Sequence, residues 1–395
     1  MKLIHGNHLM YCLNIHPAEH WNENLAAIQH FSLTVKAGIC PDAPFALGLR
    51  LSRQAARELE PKLKNCALFL RQHNLYVVTI NGFPYGCFHG TAIKERAYLP
   101  DWSSPKRIEY TLHLATILSN LLPEGETGTI STVPGHYGKE EKPSVISNLL
   151  FVADSLARME KKTGRHIVLA LEPEPDCFLD RLDSTVSFFK RLYALNESAA
   201  SRYLGVCLDT CHAAVEFESP RSWLQKLNHE GIQVPKIQIS AALRALHLKN
   251  PPPGLLPFAD REYLHQTRIY PRTNSLRTNS PWSNSGNNPE EQPGKNLIRF
   301  KDLPEALAHA PSSDSTEWRI HFHVPLTWPG EGVHGEGITS TADLIEDTFF
   351  SQAYLAGGKH FEVETYSYGV LPGPKPPVTD SIIAELQWVS KKFRL

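Results

Sequence analysis

Nine strand-length apolar runs rich in Val, Ile and Leu recur along the chain, and their spacing restricts the fold more than any other feature. They are HLMYCLNI from 8, FALGLRLS from 45, LYVVTING from 75, TGTISTVPG from 127, HIVLALEPEP from 166, YLGVCLDTCH from 203, KIQISAAL from 236, RIHFHVPL around 320 and KHFEVETY from 359. Stretches of helical period separate most of them, such as ARELEPKLKNCALFLRQ, RIEYTLHLATILSNLL and NLLFVADSLARMEKK. A strand, a helix and a strand repeating over about 30 to 50 residues is the rhythm of βα units around a parallel sheet. The 395 residues leave room for two ordinary domains or one large barrel. An α/β fold of the (β/α)8 TIM-barrel type over 1–395 accounts better for eight or nine units with no boundary and a strand near the start. A doubly wound sheet would want a G-x-G-x-x-G turn after an early strand, and none stands there.

One segment breaks the rhythm. Residues 244–318 include PRTNSLRTNSPWSNSGNNPEEQPGK, polar and rich in Pro, Asn and Ser, which reads as a long insertion or lid near the seventh strand with a flexible middle at 271–295. HFHVP, just beyond it, is expected either to pair with KIQIS beside the barrel mouth or to be the seventh strand itself.

Composition narrows function by exclusion. With 42% hydrophobic and 21% charged residues the chain is neither disordered nor fibrous. Forty Lys plus Arg against 41 Asp plus Glu give a net charge of −1, so no overall positive field exists to hold a phosphate backbone, and no nucleic acid is expected as a partner. The seven cysteines are scattered without a C-x-x-C pair, the N-terminus lacks a signal-peptide core, and about 18 apolar residues never run together; the expectation is a reduced, cytoplasmic protein.

In a barrel the functional groups stand at the C-terminal ends of the strands. The fifth run ends in LALEPEP and places Glu172 after apolar residues. The sixth ends in VCLDTCH, so Asp209 and His212 leave the strand together. In FEVETY, Glu362 and Glu364 share one strand face, with Glu364 nearer the C-terminal end. Each acid could instead pair with a Lys or Arg, yet three carboxylates converging beside imidazole groups make a mixed oxygen and nitrogen site suited to a divalent Mn, Mg, Co, Fe or Zn ion. Around it, His16, Arg50 and Asn81 follow the first three strands, and the loop GFPYGCFHG adds Tyr85, Phe88 and His89. With Lys94 and the segment residue His265 they read as a substrate cradle, although the aromatics would equally serve as a packed rim. His334 is a further candidate, for a second metal.

The LDTCHA turn, with a Glu ending the preceding strand and a Glu on the last, resembles the xylose isomerase-like barrel superfamily of sugar isomerases, ketose 3-epimerases and apurinic endonucleases of the endonuclease IV type. HLMYCLNIHPAEHW, TINGFPYGCFHG, KERAYLPDW and VETYSYGVLP look, more narrowly, like a metabolite-traffic branch of it. The resemblance implies Glu172, Asp209 and Glu364 as metal ligands with His212 beside them, and Glu172 and Glu364 as catalytic acids or bases. At the seventh strand, where an isomerase or epimerase usually offers His, this chain has Gln238, followed by Ser240 on the same face; Gln238 would then ligate weakly, or His323 would complete the shell.

The expected function is that of a metal-dependent, sugar isomerase- or epimerase-like barrel. It would act on, or hand over, a small polyhydroxylated or aromatic metabolite. The alternatives are a non-catalytic binding or traffic protein working with a membrane-bound partner of the same pathway, and a metal-dependent phosphodiesterase resembling endonuclease IV.

Overall fold

A computed structural model describes all residues except 4–5, 91–92, 248–252, 272–296, 311–315, 331–336 and 394–395. Its strands are β1 (His8–Tyr11), β2 (Phe45–Arg50), β3 (Leu75–Asn81), β4 (Gly128–Thr132), β5 (Ile167–Leu171), β6 (Leu204–Asp209) and β7 (Lys236–Ile239). There follow β8 (Ala241–His247), β9 (Thr267–Pro271), β10 (Ile298–Phe300), β11 (Thr316–Val324), β12 (Gly337–Ser340) and β13 (His360–Val363). Eight of them form one parallel sheet in the order β1-β13-β7-β6-β5-β4-β3-β2. A parallel bridge between Cys12 and Gly48 joins its two edges, so the sheet curls into a TIM barrel.

The barrel strands are buried on both faces, as strands wrapped by helices must be. The wrapping helices include Pro105–Leu121 after β3, Ser144–Thr163 after β4, Leu182–Tyr203 after β5 and Val378–Lys392 after β13. Among the described residues no helix is long and apolar enough to cross a membrane. All seven cysteines are free.

The barrel interior is polar as well as apolar. Lys236 on β7 meets Glu362 on β13 at 2.7 Å and donates to Ser131 on β4 at 3.2 Å, with both members of the ion pair fully buried. Gly48 on β2 makes room for this: a Cβ there would fall 1.6 Å from a Glu362 carboxylate oxygen and 2.7 Å from the Tyr11 carbonyl.

A second, antiparallel sheet, in the order β10-β9-β11-β8-β12, leaves the barrel directly after β7. Neither placement expected for HFHVP is found. KIQI is the seventh barrel strand, and HFHV belongs to β11, which pairs with β8 and β9 in the added sheet. The apolar run is divided at Ser240, whose N–H donates to the Thr210 hydroxyl and whose own hydroxyl donates to Asp209. Buried ion pairs fasten the sheet to the barrel loops: Arg268 reaches Glu216 at 2.7 Å and Asp176 at 2.6 Å, and Arg319 lies 4.0 Å over the Phe217 ring. Of the stretch 271–295, all but Pro271 lie outside the described residues, as does His334.

Candidate metal and substrate site

The C-terminal ends of β5, β6 and β13 bring three carboxylates together. Glu172 is the first residue past β5, and its N–H still donates to Thr132 as a continuation of the ladder. Asp209 ends β6 and caps the short helix Thr210–Val215: its Oδ1 accepts from the Cys211 and His212 amides at 2.7 and 3.0 Å and from the Ser240 hydroxyl at 2.6 Å. Glu364 follows β13, and its Oε1 accepts from the Asn14 and Asn81 side-chain amides at 2.5 and 3.2 Å. Each of the three offers an oxygen within 4.8 Å of the others, and none is more than 5% exposed.

Among the described residues, Glu172 Oε2, Asp209 Oδ2 and His323 Nε2 have no hydrogen-bond partner. The His323 tautomer follows from its other nitrogen. Nδ1 lies 2.7 Å from the Glu364 carbonyl, which only accepts, so Nδ1 carries the proton and Nε2 presents a lone pair, 3.9 Å from Asp209 Oδ2. A buried polar atom without a partner costs about 1 to 3 kcal/mol, more when charged. The carboxylates of Glu172, Asp209 and Glu364 are a candidate group for holding a metal ion, as are Asp209, His212 and His323.

The electrostatics agree. Burial, then the neighbouring carboxylates, push the Glu172 and Glu364 carboxyls well above the usual range. Asp209 is held below it: burial works upward, but His212, His323 and the Ser240 hydroxyl outweigh burial. Burial lowers His323 to about 4, so at neutral pH it is a neutral ligand. Three carboxylates, with the His323 imidazole beside Asp209, are donor types that suit a divalent ion of the Mn, Mg, Co, Fe or Zn kind.

Gln238 occupies β7 in register with Asp209 and Glu362, on the same inward face as Lys236. Both polar atoms of its side chain lack a hydrogen-bond partner, and it does not line the cleft. The strand therefore gives Asp209 a hydroxyl, from Ser240, while the imidazole comes from His323 of the added sheet.

A cleft of about 580 Å³, its mouth included, opens above the acids. Of the residues singled out from the sequence, Asn81, Phe88, Lys94, Glu172, His212, His323 and Glu364 line it. Others stand behind the wall. Arg50 is committed to the Ala18 and Gly86 carbonyls and to Glu19. His16 stacks on Phe31 at 4.2 Å, Tyr85 packs on Tyr110 at 5.0 Å, and His89 is held between the Asn14 carbonyl and the Tyr263 hydroxyl, each at 2.6 Å. His265 is fully buried between the His321 carbonyl and Asp260. Even Lys94, in the lining, is ion-paired to Asp302.

The cleft also holds residues that the sequence did not single out. Asn14 orients Glu364; Glu174, Tyr98, Tyr263, His321 and Tyr366 complete the wall. Two of these had a signal: Glu174 repeats Glu172 in EPEP, and His321 shares a strand face with His323 in HFH.

A xylose isomerase-like TIM barrel protein from Mycobacterium smegmatis, in complex with magnesium, matches at TM-score 0.51 and 11% identity, over 100% of this chain and 98% of its own. The two share the TIM-barrel fold. A xylose isomerase domain protein from Alicyclobacillus acidocaldarius gives TM-score 0.48 and 11% identity over 98% of both chains. D-allulose 3-epimerase from Methylomonas, in complex with D-allulose, gives 0.39 and 11% over 59% of this chain and 72% of its own. Compared with family models and curated proteins, the sequence matches none.

Proposed function

We propose that the cleft is the active site of a metal-dependent isomerase- or epimerase-like enzyme acting on a small polyhydroxylated or hydroxycarbonyl metabolite. The observation that carries this is the convergence of the buried Glu172, Asp209 and Glu364, each with an oxygen within 4.8 Å of the others, with the unpartnered His323 Nε2 3.9 Å from Asp209 Oδ2. Glu172, Asp209, Glu364 and His323 would hold the ion. A divalent cation there supplies a Lewis acid that grips adjacent oxygens and stabilises negative charge developing on them.

The residues of the chain do the remainder. Glu172 and Glu364 are raised carboxyls on different strands, the combination needed to take a proton from a carbon and return it. Asn14 and Asn81 fix the Glu364 carboxylate by their two hydrogen bonds. Phe88, Tyr263 and Tyr366 form an aromatic cluster, with ring centroids 4.9 to 5.4 Å apart, that shields the site from water.

The test begins with metal content of the purified protein, wild type beside Asp209→Asn. About one equivalent or more in wild type and a clear loss in the variant is the expected result, given that one buried carboxylate anchors the ion. Screening ketoses and hydroxycarbonyl compounds follows, with Glu364→Gln, which takes away both a ligand of the ion and a proton-transfer group, abolishing turnover. No bound metal even after reconstitution would end this reading.

A second reading draws on the sequence strings that resemble the metabolite-traffic protein EboE, together with the aromatic wall. In it the same cleft binds and hands over a planar or lipid-linked metabolite to a membrane-bound partner. Retention of such a ligand by metal-free protein would favour it.

A further inference from the structure

We propose that this chain builds a second cation site, beside the acid triad, from Glu174, His212 and His321. Two imidazoles in the cleft wall face each other the wrong way round. His212 Nδ1 lies 2.9 Å from the Pro173 carbonyl, an acceptor only, so that nitrogen must carry the proton and Nε2 a lone pair.

His321 is fixed by one more step. The Gln266 amide nitrogen donates to the Pro175 carbonyl at 3.1 Å, which turns the Gln266 oxygen toward His321 Nδ1, 2.7 Å away. His321 Nδ1 is therefore the protonated nitrogen, and its Nε2 also carries a lone pair. The two Nε2 atoms stand 3.1 Å apart, both buried. Lone pair faces lone pair.

The surroundings offer a single partial remedy. The Tyr366 hydroxyl, 3.3 Å from His321 Nε2, has one proton and can serve only that nitrogen. Among the described residues nothing donates to His212 Nε2; its other near neighbour is Asp209 Oδ2 at 3.9 Å. Either an extra proton or a cation must lie between the rings.

Distance and charge favour the cation. Two nitrogens each about 2.0 to 2.1 Å from a zinc-type ion at the tetrahedral angle stand about 3.3 Å apart. The observed 3.1 Å is close to that ligand edge. Glu174 stands beside the pair: its Oε1 lies 3.6 Å from His321 Nδ1, and it offers a carboxylate oxygen within 4.8 Å of a ring nitrogen of each histidine. Its Oε1 accepts from the Tyr98 hydroxyl at 2.7 Å, while Oε2, in a residue 4% exposed, has no partner. All three side chains line the cleft, so an open coordination position would face substrate. Two imidazoles and one carboxylate select zinc, cobalt or iron over magnesium or calcium.

Metal-free protein titrated with zinc tests the site, with stoichiometry as the readout. The expected result is about two equivalents for wild type, and about one each for His321→Asn and Glu364→Gln, because the variants remove different sites. One equivalent in wild type, lost in His321→Asn but kept in Glu364→Gln, would support this site and overturn the acid-triad reading. One equivalent lost in Glu364→Gln and kept in His321→Asn would overturn this site alone, leaving a shared proton between the rings. No zinc in wild type overturns both. Should either variant fail to fold, X-ray absorption at the zinc edge of loaded wild type decides. Two equivalents, or one with paired imidazole scattering, support the site; a lone equivalent with a single imidazole overturns it.

Discussion

Glu362 and Glu364 stand two residues apart on one face of the same stretch of chain, and they illustrate two ways of burying a carboxylate. Glu362 lies inside the barrel and meets Lys236 at 2.7 Å. Glu364 lies at the mouth, where its neighbours are two amides and two further carboxylates, and its carboxyl is driven well above the usual range by burial and by Asp209. Below, the compensating cation is part of the chain. Above, the acids converge without one, although a lysine costs the genome no more there than at 236. On the reading proposed above, the mouth takes a cation from outside, which is what would separate a site from a structural ion pair.

The lower pair gives the largest expected effect. Lys236→Met should destabilise the protein by about 3 to 5 kcal/mol, because it leaves Glu362 buried without its counter-charge. The double variant Lys236→Met with Glu362→Gln should recover much of that loss. Urea unfolding of the four combinations measures the coupling, and additive losses would show that the pair is not the unit described here.

Glu385 is a third type of buried acid, and it sharpens the contrast. It accepts only from neutral donors, the Leu326 amide and the Thr365 and Tyr368 hydroxyls, and burial raises it to about 7. The folded state therefore binds its proton more tightly than the unfolded chain. Its stabilising contribution is fully present below about 4.5, the unfolded value, and is lost as pH rises toward about 7. The loss is on the order of 3 kcal/mol. In Glu385→Gln the fall in stability between pH 5 and 8 should be shallower by that order, as read from urea midpoints. An unchanged slope would mean that the carboxyl stays ionised throughout.

Much of this arrangement was legible in the chain. The barrel strands are runs such as IVLAL and LGVCLD, whose burial on both faces leaves them continuously apolar, and the acids Glu172, Asp209 and Glu364 stand where those runs end. The added sheet was harder to read. KIQISAALRALH is one unbroken pattern, and only the hydrogen bonds of Ser240 to Thr210 and Asp209 divide it into a barrel strand and a strand of another sheet. The facing of His212 and His321 depends on contacts between residues 109 positions apart, which no local pattern encodes. Arg50, His16 and His265 follow the same lesson in reverse: they have the right chemistry at plausible places, and nearby backbone and side-chain partners occupy it.

The smallest effect tests how the mouth is held rather than what it holds. Asn14 follows β1 and donates to Glu364 Oε1, from the far side of the chain, with Asn81 as its companion on β3. Each donates its amide N–H to the same Glu364 oxygen, and on the proposed reading this leaves the other oxygen free to turn toward the ion. Removing such support typically costs 10- to 100-fold in metal affinity. Asn14→Ala should fall at the low end, about tenfold, because Asn81 remains, and the number of ions bound at saturation should not change. Competition with a chelating dye measures this. A lost equivalent instead of a weakened one would make Asn14 a ligand in its own right, whereas unchanged affinity would mean that Glu364 is oriented by Asn81 and the strand alone.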